Sequence, residues 1–133
     1  MKIDLDEAFF KLMAEKQRKI DLKKKIPIRD IGEMAKHNFI CEAFTYLQQS
    51  NSPEKFFVFE RLVRDSIIGT SSATKLKKGD VEYRISYYIV SRKPNAKTFG
   101  KWVFGQFCPM IPAEDFEQLI ENAKIENIII SMK

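Results

Sequence analysis

The sequence predicts an α+β domain: N-terminal helices packed on a small antiparallel sheet, with a further helix at the C-terminus. Three observations predict it. Apolar residues recur at helical spacing through the first half, alternation with period two sets in near residue 81, and helical spacing returns after Pro112. At 133 residues, 44% hydrophobic and with 11 Phe, the chain has the length of one domain (1–133) and enough apolar area for a core.

In the first element, Leu5, Ala8, Phe9, Leu12 and Met13 fall at i, i+3, i+4, i+7 and i+8, which predicts an amphipathic helix from residue 4 to about 19. Asp4 or Asp6 can cap its first turn, and cations load its C-terminal half. The stripe Ile31, Met34, Ala35, Phe39, Ala43, Tyr46, Leu47 predicts a second helical segment over 28–49, with a break near His37-Asn38. Ser50-Asn51-Ser52-Pro53 stops it, and Phe56, Phe59, Leu62 and Val63 predict a third helix over 53–66. The polar stretch 70–79 reads as an exposed loop.

A β-hairpin follows, at about 80–91 and 100–108. Val81, Tyr83, Ile85, Tyr87 and Ile89 alternate with Glu82, Arg84, Ser86, Tyr88 and Val90, so the odd positions are the expected core face. In the second strand Trp102 and Phe104 point one way, Val103 and Phe107 the other, which implies two covered faces or one kept for a partner. Gly105 marks a bulge or a close approach. Pro112 starts the last helix, about 112–126, with Phe116, Leu119, Ile120 and Ala123 as its buried stripe. Ile128-Ile129-Ile130 can add a third strand at 128–132.

Charge guides the functional reading. The net charge is +5. Residues 66–113 hold eight Lys/Arg against Asp80 and Glu82, so the excess is local. A local excess beside aromatic rings suits an anionic partner. The expectation is a small, basic, non-enzymatic protein that binds DNA or RNA through the hairpin. Lys75, Lys77, Lys78, Arg84, Arg92, Lys93, Lys97 and Lys101 would meet phosphates, and Tyr88, with Phe99 and Trp102 nearby, would offer flat surfaces for bases. Lysines at a hairpin tip also serve simply to block edge pairing. The alternative is a protein-interaction or homodimeric subunit that buries the apolar face of residues 102–107.

Other chemistry is thinly represented. Asp65, Asp80 and Glu82-Tyr83-Arg84 resemble the acid plus E-x-K arrangement of metal-dependent nucleases, which implies Mg²⁺ held by carboxylates. Arg84 stands where that family has Lys, and the preceding Pro-Asp is absent. Pairing of Glu82 with Arg84 or Lys101 explains the same residues. His37 and Cys41, four apart, would share a helical face as two zinc ligands, but further ligands are lacking. An Ile28–Gln49 helix-turn-helix would present Glu42, Thr45, Gln48 and Gln49 but no cation to a groove. There is no G-x-G-x-x-G or P-loop, so no catalytic residue, metal or cofactor is expected. Cys41 and Cys108 are in no paired spacing and read as free thiols of a cytoplasmic protein. No apolar run of about 20 residues predicts a membrane span.

Overall fold

A computed structural model describes residues 4–29, 32–71, 75–105 and 107–131. The element order is α1 (Leu5–Asp21), β1 (Lys25–Ile28), β2 (Lys36–Gln48), β3 (Lys55–Ile68), β4 (Val81–Val90), β5 (Trp102–Phe104) and α2 (Ala113–Ile125). The strands form one antiparallel sheet in the spatial order β1-β2-β3-β4-β5. The α+β class is therefore as expected. The stretches expected as helices at 28–49 and 53–66 are instead strands, and the N-terminal helix is single.

β3 is buried on both sides, and this organises the molecule. Its even residues Phe56 and Val58 meet Phe9 and Met13 of α1. Its odd residues Phe57 and Phe59 meet Leu119 and Ala123 of α2. The two helices thus cover opposite faces of the sheet. A third cluster, Phe39, Cys41 and Leu62, takes Ile20 and Ile26 where α1 runs into β1.

Local chemistry fixes the helix ends. The Asp4 carboxylate accepts from the N–H groups of Asp6 and Glu7, at 3.0 and 3.3 Å, so two otherwise orphaned donors are met. α2 starts after Pro112, and its Asp115 turns inward to accept from the Ser50 N–H at 2.9 Å. Asn127 follows the cap residue Glu126 and adopts φ +60°. Asn tolerates this left-handed geometry, which ends helices.

The hairpin is shorter than expected. β4 pairs with only three residues of β5, Tyr88 opposite Phe104 and Val90 opposite Trp102. Both of its faces are covered: Ile85 and Tyr87, at odd positions, pack on the α2-side cluster as expected. Ser86 and Val90, at even positions, are buried, whereas Tyr83 and Ile89 remain about 40% exposed. α1 covers the even face, so the expected polar side is in large part interior. Residues 128–131 form no strand, and Met132 lies outside the described residues. The tail is instead held from the side: Arg61 Nη1 donates to the carbonyls of Asn127 and Ile128, and the Ile130 N–H donates to Tyr83 Oη at 2.9 Å.

Candidate nucleic-acid interface

β4 separates the expected phosphate contacts into two groups. Lys75, Lys77 and Lys78 lie in the loop before it, and Arg92, Lys93, Lys97 and Lys101 in the loop after it. Ten extended residues span roughly 30 Å, so these groups occupy opposite ends of the sheet. At the far end, Arg92 gives two hydrogen bonds to Glu54, at 2.8 and 2.5 Å.

The remaining two expected contacts face inward. Arg84 donates to both oxygens of Glu60, at 2.7 and 3.2 Å, and Glu60 is fully buried. Lys16 of α1 closes on the same carboxylate at 2.5 Å. Burial is the largest influence on Glu60 and would raise its pKa. The hydrogen bonds and charges of Arg84 and Lys16 together outweigh it and hold the carboxyl below its usual range. Tyr88 packs on Phe9 and Phe104, and burial pushes its phenol pKa up. Trp102 is also internal: its indole N–H donates to the Leu5 carbonyl at 2.8 Å, and its ring meets Phe9 and Phe56. Phe99 and Phe104 are about half exposed, and Phe107, beyond β5, is 80% exposed.

The structure gathers a different set of cations. Residues 16–36 hold eight Lys/Arg against three acids, and residues 113–126 hold five acids against Lys124. In a sum over the chain these nearly cancel. In space they do not, because α1 and β1 lie away from α2, which covers the other face of the sheet. Lys16, Arg18 and Lys25 pair with Glu60, Glu15 and Asp65. Lys19, Lys23, Lys24, Arg29 and Lys36 make no ion pair among the described residues. They ring the place where α1 ends and β1 forms the sheet edge. The local run Lys23-Lys24-Lys25 was the available signal. What hid it was the assumption that nearby acids in sequence are nearby in space.

At the end of the sheet holding Lys75, Lys77 and Lys78, α1 no longer covers β2 and β3, and a cavity of about 360 Å³ opens. Ile28, Phe39, Leu62 and Leu76 give it apolar walls, and Glu33, His37, Arg64, Ser71 and Glu82 supply polar groups. Arg64, 5% exposed, is its hub. It donates to His37 Nδ1 and to Glu82 Oε2, both at 2.6 Å, with its guanidinium 4.8 Å from the Phe39 ring centre. A guanidinium only donates, so Nδ1 must accept, and the imidazole is neutral with its proton on Nε2. That nitrogen faces Glu33 Oε2 at 3.2 Å, and Ser71 Oγ donates to Glu33 Oε1.

The other arrangements come apart. Asp80 and Glu82 address Arg64, Arg84 addresses Glu60, and Asp65 addresses Lys25. Among the described residues no group of three or more His, Cys, Asp or Glu is placed to hold a metal ion. His37 and Cys41 lie on a strand, not a helix, and four strand residues separate their Cα atoms by roughly 13 Å. That is too far for one zinc ion, and the helix-turn-helix reading of the same segment falls with the helix. Burial, the largest influence, raises the Cys41 thiol pKa to about 11, while Cys108 is exposed; both are free. No protein-family model matches this chain, and no curated protein or solved structure is significantly similar to it.

Proposed function

We propose that the protein binds nucleic acid through the cationic edge made by the end of α1, by β1 and by Arg29 and Lys36 beyond it, with Lys75, Lys77 and Lys78 beside it. The observation that carries this reading is the set Lys19, Lys23, Lys24, Arg29 and Lys36, cations without an ion pair among the described residues, on a flank removed from the acids of α2. Phosphates are drawn to such a field, and each one neutralised releases counterions. The hairpin tip, expected from sequence to lead, becomes secondary because its Arg92 is paired and its rings are mostly interior.

The test compares two charge changes of equal size in different places. Lys23→Glu/Lys24→Glu/Lys36→Glu should weaken binding of a fluorescent oligonucleotide at least about tenfold and flatten the dependence of log K on log salt. Lys93→Glu/Lys97→Glu/Lys101→Glu should change it far less. Equal losses from both would mean that net charge, and not this edge, governs binding. No salt-dependent binding of the unaltered protein to DNA or RNA would end the reading altogether.

One observation favours a second reading. Phe107 and Met110, between β5 and α2, are 80% and 83% exposed. Apolar side chains this open support a protein contact at the β5 edge of the sheet.

A further inference from the structure

We infer that the cavity around Arg64 receives a single unstacked nucleobase, so that the ligand is single-stranded nucleic acid in preference to duplex. This rests on the nucleic-acid reading above for the class of ligand. The volume, about 360 Å³, lies at the small end of ligand sites. The walls decide what fits. Ile28 and Leu76, both part-exposed, offer apolar surface to the faces of a flat ring, above a floor of buried Phe39 and Leu62. The polar groups around them are mixed in sign, and their cations are already committed: Arg64 is engaged by His37, Glu82 and Asp80, and Arg84 by Glu60. A phosphate entering here would meet the Glu33 and Glu82 carboxylates with both guanidiniums committed.

A heterocycle is neutral and carries donors as well as acceptors along its edge, which suits that lining. Glu82 lies half exposed and can accept from an amino or imino group; its Oε1 has no hydrogen-bond partner among the described residues. The backbone phosphates of the same strand would stay outside. Lys75, Lys77 and Lys78 lie in the loop that contributes Leu76 to the wall, and Arg29 follows Ile28 on the opposite wall. Cations outside and a partly apolar interior whose guanidiniums are committed make the division of labour that base extrusion requires. In a duplex the same base would have to be unpaired first, at a cost that single strands avoid.

His37 is the only histidine, so its imidazole C–H signals report on the cavity without assignment. Titration with adenosine, guanosine, cytidine and uridine at millimolar concentration should give a saturable shift with at least one of them. Ser71→Leu, which fills the wall without changing charge, should abolish it. Glu82→Gln, which keeps the shape and removes a negative charge, should weaken it even though general attraction to phosphate rises. The single-stranded oligonucleotide should bind about tenfold tighter than its duplex, with the difference lost in either variant. Amide spectra establish that both variants are folded. If oligonucleotides bind but no nucleoside moves His37, or if inorganic phosphate moves it and nucleosides do not, the cavity assignment is wrong while the cationic edge stands. Nucleosides binding without any oligonucleotide affinity would uphold the base site and remove the nucleic-acid reading. Silence from both overturns both.

Discussion

Glu60 has the most demanding position of any charged residue here, fully buried between Lys16 of α1 and Arg84 of β4. An isolated carboxylate could not remain ionised there; two cations and their hydrogen bonds keep it so. Because its folded pKa is depressed, the contribution to stability is complete above the unfolded value of about 4.3 and is lost as pH falls through the folded value. Glu60→Gln should lower stability at neutral pH by about 2–3 kcal/mol, since it leaves two partly buried cations without their anion. It should also flatten the pH profile. Between about pH 6 and pH 3 the unaltered protein should lose more of its urea midpoint than the variant does. Equal acid sensitivity in the two proteins would assign the acid transition to other carboxylates, such as Asp65, whose pKa is lowered by its hydrogen bond to Lys25. None of this was legible in the sequence, where Glu60 reads as the polar side of a helix.

That misreading belongs to the scale of elements and has a physical cause. A strand buried on one face alternates, but β3 is covered by α1 and α2 at once. Its run Phe56-Phe57-Val58-Phe59 therefore shows no period of two, and Phe56, Phe59, Leu62 and Val63 fall by chance at helical spacing. The aromatic and β-branched content was the better signal. In β2, irregularities at Asn38/Phe39 and Cys41/Ala43 shift the parity and scramble its alternation. Gly32, inside the stretch expected as helix, has φ +85° in the turn before β2. α1 and α2 were legible because each buries one face against one neighbour, and β4 because its alternation persists although both of its faces are covered. The end of β5 was half legible: Gly105 does mark a close approach, though to a ring and not to a backbone. A Cβ there would fall inside the Tyr87 ring, while the Gly105 N–H donates to the Tyr87 carbonyl at 2.8 Å. Gly105→Ala should cost about 1–3 kcal/mol through overpacking, seen as a lower melting temperature. An unchanged one would mean that Tyr87 swings aside without cost.

At the scale of the whole molecule, the two edges of the sheet differ in what they expose. The β1 edge is cationic, and at the β5 edge Phe104, with Phe107 and Met110 in the segment that follows, stands in solvent beside the lysines of the β4–β5 loop. The charges were countable in the sequence, but their placement was not, since it depends on which strands end the sheet. Four strand spacings, roughly 19 Å, separate the edges, so a contact at one leaves the other free. The interaction reading follows from this geometry and commits to a second copy of the chain seated on the β5 edge, with both cationic edges facing outward. Sedimentation velocity of the unaltered protein should then show a coefficient that rises with concentration toward a dimer. Phe107→Ser/Met110→Ser removes exposed apolar surface that contributes little to the core, so it should hold the protein monomeric without lowering its melting temperature. A dimer that presents two nucleic-acid edges should also lose avidity for long oligonucleotides in that variant while keeping its affinity for short ones. A chain that stays monomeric at every concentration would remove the self-association reading and leave the cationic edge to act alone.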